Sequence, residues 1–226
     1  MIKNVIFDLD GTLLDTSMGI VESVQHTVEV MQLKDLSLNE LQSFIGPPLR
    51  KSFIATCGCS EVEAEKATIV FREHYQAGAV LHAEVYKGIR ELCHTLILNG
   101  IRLGVATNKP QRFADSLLRE FDLIHYFRYV CGADESGILS KSGLIAICMN
   151  EMCAKQNNTV LIGDTDNDAL GAFEAGIRFL AVTYGFGFKT SDDLKDVPNM
   201  GIAESPEEIV EIVLKNTNLH GGAVNS

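Results

Sequence analysis

Apolar positions along this chain follow two different periods, and the change between them divides it. Residues 5–7, Val-Ile-Phe, form a short apolar run that stops at Asp8-Leu9-Asp10-Gly11, the pattern of a buried strand ended by a turn. From there to about residue 84 the spacing is helical. Ile20, Val24, Val28 and Met31 recur along 17–32, predicting a helix. Ser37 with Glu40 forms a capping box for a short helix through 41. Gly46-Pro47-Pro48 interrupts the chain, 49–56 is a further short helix, and Ser60 caps a longer one to 77 with Glu61 and Glu63 in its first turn. No strand is predicted in this block.

From Gly88 onward strands and helices alternate. A helix to 98 stops at Asn99-Gly100. Strands are predicted at 101–106, 129–131, 159–162 and 178–182, with a weak one near Ile202. Helices are predicted after Pro110 to 120, at 142–154, after Asp164 to 175, near 192 and at 205–214. Such alternation specifies a parallel sheet covered on both faces, and the strand at 5–7 belongs to it. The expected class is α/β: a doubly wound, Rossmann-like parallel sheet built from 1–14 and 85–226, interrupted by an all-helical insertion at 15–84. The tail, 220–226, has little to bury and is expected to fray.

Composition narrows the function classes. A chain of 226 residues can bury a full core. No apolar run approaches a membrane span, and the start lacks a basic segment followed by a small-residue cleavage site, so a cytoplasmic protein without a membrane partner is expected. The net charge of −11 argues against a nucleic-acid partner, which needs a basic face. It leaves room for a small anionic substrate if positive charge is concentrated in the site. The six cysteines (Cys57, Cys59, Cys93, Cys131, Cys148 and Cys153) fit no zinc spacing and read as structural or incidental thiols.

The unusual polar clusters fall at predicted strand ends, where doubly wound sheets bind ligands. Asp8 and Asp10 end the first strand, Thr107-Asn108-Lys109 the second, and Gly163-Asp164 another, with Asp168 one turn into the next helix. Lys141 lies before a helix that follows a short strand. A buried strand ending in two carboxylates needs a cationic partner. Such a pair also suits chemistry in which one carboxylate attacks and the other moves a proton. Asp8, Asp164, Asp168 and the backbone carbonyl of Asp10 make an all-oxygen cage suited to Mg2+. Lys141 offers positive charge to a phosphoryl oxygen or to the nucleophile. The Thr107 hydroxyl, the Asn108 amide and backbone amides around 9–11 offer donors. That inventory matches phosphoryl transfer. Each part has a plainer alternative: Asp164 and Asp166 suit a helix cap, Lys141 a solvated lysine, Thr107 a turn hydroxyl. Their convergence on one sheet edge favours a site.

Phe7-Asp8-Leu9-Asp10-Gly11-Thr12, Ala106-Thr107-Asn108, Lys141 and Gly163-Asp164-Thr165-Asp166-Asn167-Asp168, in that order, resemble the motifs of the haloacid dehalogenase superfamily of aspartate-nucleophile hydrolases. The helical insertion resembles the small cap of its phosphoglycolate phosphatase-like branch. Phe44-Ile45-Gly46-Pro47-Pro48-Leu49 resembles a cap loop of phosphoglycolate phosphatases and 5'-nucleotidases. The resemblance implies that Asp8 is the nucleophile and forms an aspartyl-phosphate, while Asp10 protonates the leaving oxygen and then activates water. It implies that Asp8, the Asp10 carbonyl and Asp164 hold Mg2+, with Asp168 adjusting the metal from behind. Thr107 and Asn108 would bind the phosphoryl group, and Lys141 would steady it and Asp8. Gly46 and Arg50, and more weakly Arg72 and His74, are candidates to meet the leaving group from the cap. Gly185-Phe186-Gly187 reads as a loop, flexible and near the site or merely connecting. In the superfamily a second aspartate such as Asp10 separates phosphoryl transfer from dehalogenation. One departure is Ser142-Gly143-Leu144, where many relatives carry prolines after the lysine.

The expected function is a magnesium-dependent phosphomonoesterase acting on a small phosphorylated metabolite, phosphoglycolate by default, as a monomer or homodimer. A 5'-nucleotidase acting on nucleoside monophosphates is the first alternative. A non-catalytic phosphate-binding regulatory protein on the same fold, or a protein-binding module that uses the cap, is the rival from another class.

Overall fold

The computed structural model describes residues 1–134 and 138–217; the tail expected to fray lies outside them. The described residues form two compact units, 1–14 with 85–134 and 138–217, and Asp15–Glu84.

The first unit is built on β1 (Asn4–Phe7), and the second on α1 (Ser17–Val30), α2 (Leu38–Gln42), α3 (Leu49–Cys57) and α4 (Glu61–Ala77). Two-residue strands, β2 (Leu14–Asp15) and β3 (Glu84–Val85), fall where the chain passes from one unit to the other. The remaining elements are α5 (Ile89–Leu98), β4 (Arg102–Pro110), α6 (Gln111–Glu120), β5 (Phe127–Ala133), α7 (Lys141–Glu151), β6 (Thr159–Gly163), α8 (Asp166–Glu174), β7 (Arg178–Val182), β8 (Ile202–Ala203) and α9 (Pro206–Lys215).

The six-stranded sheet has the order β5-β4-β1-β6-β7-β8, and its pairings are parallel. This is the expected doubly wound α/β class. β1 is central and wholly buried, which explains the apolar run Val5–Phe7, and its buried Asn4 side chain is hydrogen-bonded to Asn158 at 2.7 Å. Side chains alternate across it. Ile6, with Ala106, Leu161, Phe179 and Ala181, joins Leu144, Ile145 and Cys148 of α7 and Ala172 of α8 in one core layer. The chain moves outward from β1 through β4 to β5, then restarts on the other side of β1 at β6. A switch point of this kind opens a crevice at the carboxyl ends of the central strands.

One strand departs from its sequence pattern. The apolar run predicts an end at Ala106, but β4 continues to Pro110 because β5 also runs on, to Ala133. Thr107 pairs with Gly132 and Pro110 with Ala133, so Asn108 and Lys109 are additional residues in an irregular register. A bulge of this kind bends a strand and re-aims its side chains.

The helical unit follows its local signals. Ser37 with Glu40 and Ser60 with Glu63 both form reciprocal capping boxes. Within it Phe44 and Phe53 meet edge to face at 4.9 Å, and Phe71 stacks on Tyr75 at 5.5 Å. No helix among the described residues is long and apolar enough to cross a membrane.

Candidate active site

The backbone of β1 is carried past Phe7 by a hydrogen bond from Asp8 N to the Ile162 carbonyl of β6, 2.9 Å. This fixes where the Asp8 carboxylate leaves the sheet. The chain then turns tightly: Leu13 N and Leu14 N both donate to the Leu9 carbonyl at 3.0 Å. Gly11 sits in this turn at φ 81°, and a Cβ there would lie 2.4 Å from Asp164 Oδ2. Only glycine satisfies both the left-handed backbone and that approach.

Asp8, Asp164 and Asp168 are all buried, and one oxygen from each lies within 4.8 Å of the others. Lys141 joins two of them. Its ammonium donates to Asp8 Oδ1 at 2.5 Å and lies 2.7 Å from Asp168 Oδ1. Lys141 is the first residue of α7, next to the Ser140 N-cap. That is the wrong end of a helix for a cation, so the two carboxylates, not the helix, account for its place. Its stem passes α8 at Gly171, where a Cβ would lie 2.5 Å from Lys141 Cγ.

Asp164 follows β6 and is held from several sides. Its Oδ2 accepts from Phe186 N at 2.6 Å and Gly187 N at 3.1 Å, and its Oδ1 from the Thr12 hydroxyl at 3.4 Å. The 185–187 loop is therefore a clamp on Asp164. Asp168 caps its own helix: its Oδ2 accepts from Thr165 N at 3.1 Å and from the Thr165 hydroxyl at 2.6 Å. Its Oδ1 is the oxygen turned to Lys141.

These groups are electrically unbalanced. Three buried carboxylates face one buried ammonium, so two negative charges lack a local counter-charge. Burial raises the Asp8 carboxyl to about 8; Lys141 opposes this, while Asp168, Asp10 and Asp164 add to it. Burial and then Asp168 push Asp164 up to about 6, against the Gly187 and Phe186 amides. For Lys141, burial works against the charged form but Asp168 and Asp8 outweigh it, and its pKa is raised. A hard divalent cation fits this donor set in both charge and ligand type.

A pH dependence follows. Asp8 and Asp164 titrate above the ordinary carboxylate value of 3.8, so the folded chain holds protons that the unfolded chain has released. Their contribution to stability is complete below about pH 4 and is lost as pH rises through about 6 and about 8. Asp164 alone accounts for a change on the order of 3 kcal/mol. Without divalent cations the melting temperature should fall from pH 5 to pH 8, and added Mg2+ should raise it more at pH 8, where fewer protons compete. Melting curves with Mg2+ and with chelator at the two pH values check this; an Mg2+ effect no larger at pH 8 counts against it.

The remaining sequence candidates divide. Thr107 is buried, and its hydroxyl accepts from Lys109 N at 3.2 Å. Asn108 is exposed, and its Oδ1 accepts from Asn167 Nδ2 at 2.9 Å, which ties the β4 bulge to the first turn of α8. In the helical unit Gly46 is exposed at φ 102°. Arg50 is exposed and ion-paired with Glu61 and, at 3.8 Å, with Glu65. Arg72 is exposed, and His74 Nδ1 lies 3.1 Å from the Ser23 hydroxyl.

Lys109 and Thr12, which the sequence places at a strand end and in the first motif without a role, also contact the acidic groups. Lys109 is only 8% exposed, and its ammonium donates to Asp10 Oδ1 at 2.8 Å. The signal available was Pro110, which commonly marks an irregular strand position. The Thr12 backbone carbonyl also accepts from the Tyr184 hydroxyl at 2.9 Å.

The Asp164 clamp makes a direct prediction. A Cβ at Gly185 would lie 2.2 Å from the Gly11 carbonyl oxygen and 2.5 Å from Asp164 Oδ2. Gly185→Ala should cost about 1–3 kcal/mol and weaken divalent-cation binding at least ~10-fold, since cation affinity depends on how ligands are held. Denaturant melts and Mg2+ titrations read the two effects; an unchanged Mg2+ affinity contradicts the clamp.

Residues 5–182 match the family model described as haloacid dehalogenase-like hydrolase. A 5'-nucleotidase from Pseudomonas aeruginosa is 35% identical over 193 residues, covering 85% of this chain and 86% of the relative. Phosphoglycolate phosphatase 1 from the same species is 31% identical over 190 residues, covering 80% and 70%. Among solved structures, a protein described as a predicted phosphatase from Clostridium acetobutylicum superposes with a TM-score of 0.87 at 33% identity, over 95% of this chain and 99% of its own. With a doubly wound sheet, an acidic cluster at its switch point and a family match across most of its length, the chain belongs to the haloacid dehalogenase-like hydrolase family.

Proposed function

We propose that this protein is a magnesium-dependent phosphomonoesterase that hydrolyses small soluble phosphate esters through an aspartyl-phosphate on Asp8. The carrying observation is the buried group of Asp8, Asp164 and Asp168, with Lys141 bridging Asp8 and Asp168. Asp8, the Asp10 carbonyl and Asp164 would hold Mg2+, which would supply positive charge against the phosphoryl group when bound.

In the first half-reaction an Asp8 oxygen bonds to phosphorus, and the ester P–O bond breaks. The leaving oxygen takes its proton from the Asp10 carboxyl. In the second, a water oxygen bonds to phosphorus as the Asp8–phosphorus bond breaks, and the water's proton passes to Asp10. Lys141 holds Asp8 in place and offsets the charge of the phosphoryl group. The Thr107 hydroxyl and Asn108 amide donate to phosphoryl oxygens. The Asp15–Glu84 unit serves as the cap that shields the reaction from water, with Gly46 and Arg50 as its candidates for choosing the leaving group.

Two substrate classes have support. The Phe44–Leu49 loop resembles that of phosphoglycolate phosphatases and 5'-nucleotidases alike, and the fuller match to the Pseudomonas 5'-nucleotidase favours nucleoside monophosphates. Phosphate release from phosphoglycolate, nucleoside 5'-monophosphates and sugar phosphates, with Mg2+ and with chelator, tests the proposal. Mg2+-dependent release supports it and the best ester names the class; a folded protein that releases phosphate from none of them sinks it.

A further inference from the structure

We infer that Lys109 is a positioning residue for the acid–base step, holding the Asp10 carboxylate so that the travelling proton is carried on Oδ2. The inference rests on the phosphomonoesterase reading and deepens it.

Three observations carry it. Lys109 and Asn108 are the additional residues in the irregular register between β4 and β5. A regular strand would set its side chains by simple alternation; the bulge re-aims them. The Lys109 ammonium is nearly as buried as that of Lys141, with side chains 6% and 2% exposed. Burying an ammonium is costly unless it is paired, and its 2.8 Å contact with Asp10 Oδ1 provides the pairing. Third, the same bulge holds Thr107, whose hydroxyl accepts from Lys109 N at 3.2 Å. One short segment thus links the candidate phosphoryl-binding hydroxyl to the candidate acid.

The chemical consequence follows from what an ammonium can do. Lys carries three donors and no acceptor, so the Asp10 oxygen it occupies is a poor place for a proton. The proton given to the leaving oxygen, and later taken from water, is confined to Oδ2. Without Lys109 the carboxyl can rotate and present either oxygen, and the fraction of Asp10 in productive geometry falls.

Esters with different leaving groups separate this role from simple phosphate binding. p-Nitrophenolate departs without a proton, whereas an alkoxide needs one. In Lys109→Met, kcat/KM for the best-used alkyl phosphate of the panel, phosphoglycolate or a nucleoside 5'-monophosphate, should fall about 100-fold, the lower end of what general acid catalysis contributes. For p-nitrophenyl phosphate it should fall less than about threefold, because that constant reports only steps through nitrophenolate release. Hydrolysis of the aspartyl-phosphate still needs Asp10, so the variant should also show a burst approaching one nitrophenolate per enzyme. Lys109→Arg should recover at least about tenfold of the alkyl-ester loss. If the Met variant melts early, Lys109→Gln carries the same comparison.

Equal losses on both esters without a burst, or no loss on either, would overturn the inference while leaving the phosphatase reading in place. A wild-type protein that turns over neither ester would overturn both.

Discussion

Asp8→Asn is expected to lower phosphate release by at least about 10^4-fold while leaving the protein folded. The activity loss follows from the proposed covalent step: an amide is a far poorer nucleophile than a carboxylate, and deleting a covalent nucleophile removes most of what the remaining groups can do together. The stability expectation has the opposite sign. Burial, opposed by Lys141 and reinforced by the neighbouring carboxylates, raises the Asp8 carboxyl to about 8. The fold therefore disfavours its charged form, and a neutral isostere removes that cost. Lys141 keeps Asp168 as a partner at 2.7 Å. In chelator at pH 8 the variant should melt at the same temperature as the wild type or higher. Phosphate release and melting curves measured on the same preparation separate the two effects. Residual activity within about 100-fold of wild type would remove Asp8 as the nucleophile.

Lys141→Met is expected to have the largest effect on stability. Lys141 is 3% exposed and bridges Asp8 and Asp168. Methionine fills the space beside Gly171 but carries no charge, so Asp8 and Asp168 lose their shared ammonium. Removing one partner of a buried ion pair costs about 3–5 kcal/mol. Relieving a cation at the start of α7 returns at most about 1 kcal/mol, so the loss prevails. Activity should fall at least about 10^3-fold, because the nucleophile is no longer held and the phosphoryl charge is less offset. In the Asp8→Asn background the same substitution should destabilise less, since one of the stranded carboxylates is gone, and a double-mutant cycle on denaturant melts reads that coupling. Additive losses would mean that Lys141 acts on Asp168 alone.

The fold class was legible because it rests on local signals. The apolar run of β1 reads directly as a strand buried on both faces. Ser37 and Glu40 form the capping box that their spacing predicts, and Ser60, expected as an N-cap, forms one with Glu63. Alternation of periods after Gly88 specifies a parallel sheet, and a parallel sheet places strand-end polar residues along one edge. Asp8, Lys141, Asp164 and Asp168 lie together for that reason, although 133 residues separate Asp8 from Lys141.

The contacts that aim and restrain those groups were not legible, because they join residues far apart in the chain by side-chain direction. The 185–187 loop reads as an ordinary glycine-rich connection, and only the fold brings its amides onto Asp164, 22 and 23 residues earlier. Asn108 meets Asn167 across 59 residues, and Lys109 meets Asp10 across 99. Lys109 lay outside any local rule, since β4 has no apolar reason to run past Ala106 and lysines are ordinarily solvated. Periodicity and turn chemistry determined which residues arrive at the sheet edge. Pairing with β5, the bulge it creates and the close approaches allowed at Gly11, Gly171 and Gly185 decided which way they point, because those depend on backbones that meet only in the folded chain.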